Sequence, residues 1–338
     1  MKALVTGATG FLGSHIVERL VQAGDDVRAL VRPSSDTSLL REWVVELVSG
    51  DVTQPESLAA AINGVDVVYH AAANVSEWDP WRDFETATID GTRNILRAAS
   101  QAGVPRFLHV SSDAVYSLKA LSGRITEESP LEKRFGWGDY YRRSKSAAEK
   151  IARRHAKEGN MAVTIVRPGL LLGERDRAMF PGVLRFLNSV VSTYLGSGDN
   201  RLPYVYAGDV ADACIAGATD DRAVGQIYNV VSDEQVTQKN LFAAVAEATG
   251  LKPPSRVVPK PLAYGLGMLI EAWCVFARRR KVRPELTRFA VILFAYDYHE
   301  DASKLRRELG WEPKVPLKEA VRRCVEWHRE QEKQPAGR

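Results

Sequence analysis

The first two-thirds of the chain alternate short apolar runs with stretches of helical periodicity. Runs at Ala3–Thr6, Val27–Val31, Val44–Val48, Val65–His70, Arg106–Ser111 and Ala162–Arg167 predict strands. Phe11–Ala23, Pro55–Ile62, Trp81–Ala102 and Asp139–Lys157 stand between them and predict helices, with Gly24 suited to the C′ position of the first. Strands that are apolar throughout, instead of alternating, are buried on both faces, and intervening helices supply parallel crossovers. The pattern therefore predicts an α/β fold with a doubly wound parallel sheet.

The last third reads differently. Leu241–Thr249, Leu262–Ala277, Pro284–Ala295 and Leu317–Glu330 predict helices, and only Gln226–Val231 reads as a strand. A smaller, mostly helical unit is expected over the C-terminal edge of the sheet, where doubly wound folds bind ligands.

Composition narrows the function classes. The 338 residues exceed what one core usually organises, and 45% apolar with 26% charged residues is an ordinary globular balance. A net charge of +4, from 46 basic and 42 acidic residues, is too small and dispersed to argue for nucleic acid. The one dense basic run, Arg278–Lys281, is either a solvated helix end or a contact with a membrane surface. Cys214, Cys274 and Cys324 are far apart and in no ligand spacing, so free thiols and no metal site are expected. The first strand begins at once, so no signal peptide is expected, and the most apolar segment, Leu262–Ala277, is short and holds Glu271. A cytoplasmic protein is the expectation.

Thr6-Gly7-Ala8-Thr9-Gly10-Phe11-Leu12-Gly13 follows a strand and opens a helix. In that context Gly7 permits the tight turn, Gly10 lets the backbone approach a pyrophosphate facing the helix N-terminus, and Gly13 lets helix and strand pack closely. A bound dinucleotide and a Rossmann-type sheet follow. The second strand ends Val31-Arg32, with no acid for a ribose 2′-hydroxyl and a guanidinium suited to a 2′-phosphate. NADP(H) is thus preferred, with NAD(H) the alternative; Ser34 and Ser35 can add donors. Asp51, followed by Val52, either meets the adenine amino group or caps the helix from Pro55. Ala71, Ala72 and Ala73 either admit the cofactor ribose or simply pack closely.

Tyr141 and Lys145 stand at i and i+4 on one helical face. A nearby cation is expected to lower the phenol pKa, so that Tyr141 trades a proton with a substrate oxygen, while Lys145 also holds the nicotinamide ribose. Ser111-Ser112 ends the fifth strand at the same sheet edge, where a hydroxyl can bond the oxygen on which charge develops.

With these motifs in hand, the chain resembles the extended short-chain dehydrogenase/reductase family. The likeness runs through TGATGFLG, GDVT at Gly50–Thr53, HAAA at His70–Ala73, GTRN at Gly91–Asn94, VSSDAVY at Val110–Tyr116, YRRSK at Tyr141–Lys145, RPGLLLG at Arg167–Gly173, YVYAGDVADA at Tyr204–Ala213 and LGWEP at Leu309–Pro313. The resemblance implies a Ser112–Tyr141–Lys145 catalytic triad, Pro168, Gly169, Leu170 and Leu171 along the nicotinamide, and a homodimer through the Trp81–Ala102 and Asp139–Lys157 helices. The element pattern and composition divide the chain into an expected dinucleotide-binding domain, 1–168 with a return at about 202–231, a substrate domain, 169–201 with 232–330, and a flexible tail, 331–338. The Asp-Glu pair of sugar-nucleotide dehydratases is absent, since Ser112 is followed by Asp113-Ala114. Val31-Arg32 looks like the dihydroflavonol reductase branch, and Leu262–Ala277 with the basic run like the 3β-hydroxysteroid dehydrogenase branch. The expectation is an NADP(H)-dependent oxidoreductase interconverting alcohol and ketone on an apolar, steroid- or flavonoid-like small molecule, with peripheral membrane contact through 262–296 as the sharper reading of the apolar segment. The rivals are a nucleotide-sugar epimerase or 4-ketoreductase, in which Arg201 would meet a diphosphate, and a non-catalytic redox sensor.

Overall fold

The computed structural model of the chain describes residues 1–159, 161–277, 284 and 286–333. The basic run Arg278–Lys281 and most of the expected tail lie outside the described residues. Seven strands form the central sheet: β1 (Lys2–Thr6), β2 (Asp26–Val31), β3 (Glu46–Ser49), β4 (Val67–His70), β5 (Arg106–Val110), β6 (Ala162–Pro168) and β7 (Ile227–Val230). All pair in parallel, in the order β3-β2-β1-β4-β5-β6-β7. The chain winds outward from β1 to β3 and then restarts at β4 on the other side of β1. That reversal parts the connections at the carboxyl ends of β1 and β4 and opens a crevice there. Register brings Thr6 level with Leu30 on one side and His70 on the other, so three strands end together at its floor.

Both faces of the sheet are covered, which explains the continuous apolar strands. In β1, Ala3 and Val5 face one helical layer and Leu4 the other. The first layer is α1 (Phe11–Gln22) and a helix at Ala207–Thr219, with Ile16, Val17, Val210 and Cys214 fully buried. The opposite layer is α2 (Gly91–Gln101) and α3 (Tyr140–Glu158), with Ile95, Leu96, Ala148 and Ala152 inward. Gly24 takes φ 80° just past α1, as its C′ role requires.

Outside the sheet a second apolar core gathers Leu172, Phe180, Tyr204, Leu241, Val245, Leu317, Val321 and Cys324. Two further helices, Lys260–Phe276 and Arg288–Ala295, pack against each other across Ala263 and Val291. Some boundaries differ from expectation. The third strand starts at Glu46, because Val44 has φ 57° and makes a turn. The helix expected from Pro284 starts at Arg288, where the Thr287 hydroxyl accepts the Ala290 N–H. The long helix over 81–102 contains a π-helical stretch, Glu85–Asp90. Among the described residues no helix is long and apolar enough to cross a membrane.

Candidate active site

A cleft of about 830 Å³ lies over the carboxyl ends of β1, β4, β5 and β6. Its lining contains Gly7, Thr9, Gly10, Phe11, Leu12, Gly13, Arg32, Asp51, Val52, Ala71, Ala72, Ala73, Ser112, Tyr141, Lys145, Pro168, Gly169, Leu170 and Leu171, and Ser34 and Arg201 stand outside it.

The glycine loop has the form a pyrophosphate needs. A side chain at Gly7, whose φ is 71°, would come within 2.8 Å of the Ala72 nitrogen, and one at Gly13 would lie 2.0 Å from the Gly7 carbonyl oxygen. The loop is therefore folded against itself and against Ala72, with backbone lining the cleft. No side chain caps α1 at Gly10, which leaves the first-turn N–H groups aimed into the cleft for an anion. The residues present fit a dinucleotide. The small residues after β4 serve the close approach to Gly7, and they line the cleft as well.

Asp51 does not cap the helix from Pro55, whose N-cap position is Gln54 with no side-chain cap bond. The Asp51 Oδ1 accepts the Thr53 N–H at 2.8 Å, which organises the turn, and the residue lines the cleft. The GTRN motif acts on the same loop: Asn94 Nδ2 donates to the Val52 carbonyl at 2.9 Å. Arg32 is exposed at the cleft rim with Ser35 beside it, and its guanidinium has no ion-pair partner among the described residues.

The catalytic candidates meet at the inner end. Ser112 caps a short turn after β5; its hydroxyl donates to Asp113 Oδ1 at 2.9 Å and accepts the Ala114 N–H at 3.2 Å. It also stands beside the Tyr141 phenol, where it favours the ionised form. Lys145 Nζ donates to the Val110 carbonyl at 2.9 Å. Ser111, the neighbouring candidate, turns away and donates to Glu149 at 2.6 Å. The expected lowering of the phenol is not what the surroundings produce. Burial pushes Tyr141 up to about 12, with the Ser112 contact opposing it. Burial also brings the Lys145 ammonium down to about 8. Desolvation outweighs the Ser112 contact at Tyr141 and the Glu149 charge at Lys145.

The apolar wall comes from the last third. Phe289, Ile292, Leu293 and Tyr298 close the cleft, and Phe289 meets the Tyr141 ring edge-on at 5.4 Å between centroids. Arg201, nominated for a diphosphate, does not line the cleft; its guanidinium reaches His299 at 3.2 Å. His15, Glu18 and Glu174 converge, but Arg175 bonds both His15 and Glu18 at 2.7 Å and fills the space a cation would take. Sequence reasoning did not nominate Arg142, which lines the cleft and clamps the Ser112 turn through the Ala114 and Tyr116 carbonyls at 3.0 and 2.8 Å.

Residues 3–230 match the model of the NAD dependent epimerase/dehydratase family. The chain belongs to that family. Among curated relatives, 2-alkyl-3-oxoalkanoate reductase of Shewanella oneidensis is 27% identical, over 95% of this chain and 84% of its own length. The 3 beta-hydroxysteroid dehydrogenase/Delta 5-->4-isomerase of Mycobacterium tuberculosis H37Rv is 28% identical, over 97% and 90%. Among solved structures, gox2253 is 30% identical with a TM-score of 0.81, covering 98% of this chain and 99% of its own. The family is NAD dependent by description, both curated relatives are named as oxidoreductases, and the extended short-chain dehydrogenase/reductase resemblance stands.

Proposed function

We propose that this chain is an NADP(H)-dependent oxidoreductase that interconverts a secondary alcohol and a ketone on an apolar substrate. One observation carries the reading: Ser112, Tyr141 and Lys145 meet in one cleft with the glycine loop, under a wall of Phe289, Ile292 and Leu293. The glycine loop would hold the pyrophosphate, Arg32 the 2′-phosphate, Asp51 and Val52 the adenine, Ala71–Ala73 and Lys145 the riboses, and Pro168–Leu171 the nicotinamide. When bound, that cofactor supplies or accepts a hydride. Tyr141 gives a proton to the substrate oxygen in reduction and takes it back in oxidation. Ser112 bonds the same oxygen and opposes its drift from the phenol. The Lys145 ammonium favours the phenolate form of Tyr141 between those steps. The division of labour proposed is a cofactor unit, 1–168 with 202–231, and a substrate unit from the rest.

The apolar-substrate reading draws support from the names of the two curated relatives, one an oxoalkanoate reductase and the other a hydroxysteroid dehydrogenase. The nucleotide-sugar reading loses its diphosphate ligand with Arg201 turned to His299. Tyr141→Phe is expected to abolish reduction of a ketone panel while NADPH binding, followed by its fluorescence, stays within about twofold, since a general acid contributes roughly 100-fold or more. Retained turnover refutes the assignment.

A peripheral contact with an anionic membrane is part of the same proposal. Leu262, Leu266, Leu269, Trp273 and Phe276 recur at helical spacing along one helix and are 55%, 41%, 64%, 62% and 83% exposed. The helix at 288–295 packed beneath carries the cleft wall, and the basic run follows in sequence. Flotation with vesicles containing phosphatidylglycerol checks this: binding that Leu269→Glu with Trp273→Glu removes is expected, and protein that stays wholly in the aqueous fraction excludes it.

A further inference from the structure

Beside the catalytic serine stands an acid pair that no linear motif announces. Asp113 follows Ser112 on the turn after β5 and lines the cleft. Glu300 lies on a two-residue strand, His299–Glu300, paired with Arg124–Ile125, 175 residues away in the chain. Both Glu300 carboxyl oxygens are shut off from solvent, and no N–H or O–H donor reaches either one. Their partner is the Asp113 carboxyl, which stands at hydrogen-bond distance. Two carboxylates meet in this way only when one carries a proton.

The cations nearby do not remove that requirement. Arg142 spends its three bonds on the Ala114 and Tyr116 carbonyls and on Asp139 at 2.9 Å. Arg167 is committed to Glu149 and the Tyr116 hydroxyl. Glu127 adds negative charge on Glu300's side, and the Tyr298 hydroxyl, also close, donates to the Ile292 carbonyl. Burial pushes Asp113 up to about 6 against the Ser112 and Glu300 contacts, and burial with the Asp113 charge holds Glu300 well above the usual carboxylate range. The pair therefore keeps a proton under conditions in which ordinary carboxyls have lost theirs.

A row of adjacent polar groups joins that proton to the reaction: the Tyr141 phenol beside Ser112, Ser112 bonded to Asp113 at 2.9 Å, and the Asp113 carboxyl beside Glu300, with Ser112, Asp113 and Tyr141 all lining the cleft. We infer that Asp113 and Glu300 are a shared-proton store that reloads Tyr141 through Ser112 after each reduction. The inference rests on the hydride-transfer function proposed above. In ketone reduction, hydride from the nicotinamide forms the new C–H bond and the Tyr141 proton forms the new O–H bond. The phenolate then takes the Ser112 hydroxyl proton, and Ser112 takes the proton held between Asp113 and Glu300. The pair recovers one from solvent at the cleft, which Asp113 lines. Each O–H bond of the row is broken and re-formed once, and the net reaction consumes one hydride and one solvent proton. Oxidation runs the same path backwards. Asp113 and Glu300 are thus positioning and proton-holding residues, and Tyr141 remains the catalytic acid.

Two readouts test this, one of them independent of any substrate. Infrared spectra of the purified protein at pH 7 are expected to show a protonated carboxyl stretch that Glu300→Gln removes; a wild-type spectrum without it overturns the shared proton. Reduction of ethyl acetoacetate by NADPH is expected to fall about 10-fold in kcat with Glu300→Gln, less than loss of the acid itself. KM and NADPH affinity stay unchanged, and the kcat–pH profile loses its ionisation near the pair. An unaltered kcat and pH profile overturns the relay. Asp113→Asn gives both readouts again should Glu300→Gln fail to fold. Failure of the hydride-transfer function reads differently: wild type that binds NADPH, shows the infrared band and reduces no ketone refutes that function and the relay with it, and leaves the shared proton standing.

Discussion

Glu149 and Arg167 are 1% and 0% exposed and form a two-pronged ion pair, Nε to Oε2 at 2.9 Å and Nη2 to Oε1 at 2.5 Å. Arg167 also reaches the Tyr116 hydroxyl at 2.8 Å, and Tyr116 in turn donates to Asn229 on β7 at 2.5 Å. Glu149→Ala would leave the guanidinium buried with no counter-charge, the costly way to disturb such a pair, worth about 3–5 kcal/mol. Unfolding entropy of about 2.1 cal/mol/K per residue gives about 0.7 kcal/mol/K for this length, so Tm is expected to fall by about 4–7 °C at pH 7. Differential scanning calorimetry reads it directly. Glu149→Gln, which keeps an acceptor for Ser111, should fall less, and Arg167→Met in the Glu149→Ala background should recover much of the loss because the orphaned charge is gone. A shift below about 1 °C for Glu149→Ala would refute the reasoning. Ser111 and Arg167 sit immediately before Ser112 and Pro168, so the same variant should also lower activity at temperatures where it is fully folded.

Two other outcomes are expected. Arg32→Ser should weaken NADPH binding by roughly 10- to 100-fold, the worth of a charge-assisted hydrogen bond, and leave NADH binding unchanged; equal losses for both, by titration calorimetry, would remove Arg32 from the 2′-phosphate site. Lys145→Met should abolish turnover yet raise Tm at pH 7. Burial depresses the folded-state pKa of Lys145 to about 8, below its unfolded value of 10.5. Between those values the unfolded chain binds more protons, so wild-type stability rises with pH across that window and the full cost of burying the charge applies below about pH 8. The Tm gap between variant and wild type should therefore narrow from pH 8 upward. A gap that is constant from pH 7 to 10 contradicts the cause.

The parts of the fold set by local pattern were legible. Apolar runs of four to six residues marked the sheet strands, and Gly7, Gly10 and Gly13 marked the loop because backbone contact there forbids a side chain. The i, i+4 spacing of Tyr141 and Lys145 was enough to put them on one face. What escaped the sequence depends on residues that meet only through tertiary packing. Glu300 joins Asp113 across 187 positions, and Phe289 reaches Tyr141 from a helix whose start was misjudged. The electrostatics escaped for a related reason: spacing reports that Lys145 shares a helix face with Tyr141, whereas desolvation, the largest influence on each, is a property of everything packed around both. Arg201 shows the converse, a charge well placed in sequence whose side chain is claimed by His299.

Glu271 looked like a blemish in the apolar segment 262–277, the residue that spoiled its hydropathy. In the folded chain it is 7% exposed, and its two oxygens take the Arg288 backbone N–H and guanidinium at 2.7 Å each. It works as a clasp. The helix at 260–276 and the one at 288–295 are fastened at the point where the second begins, one turn before Ile292 and Leu293 in the cleft wall. Force applied to the outer helix is handed to the doorway of the cleft instead of being lost in slack. A chain with leucine at 271 would be greasier there, and its doorway would no longer follow its outer face.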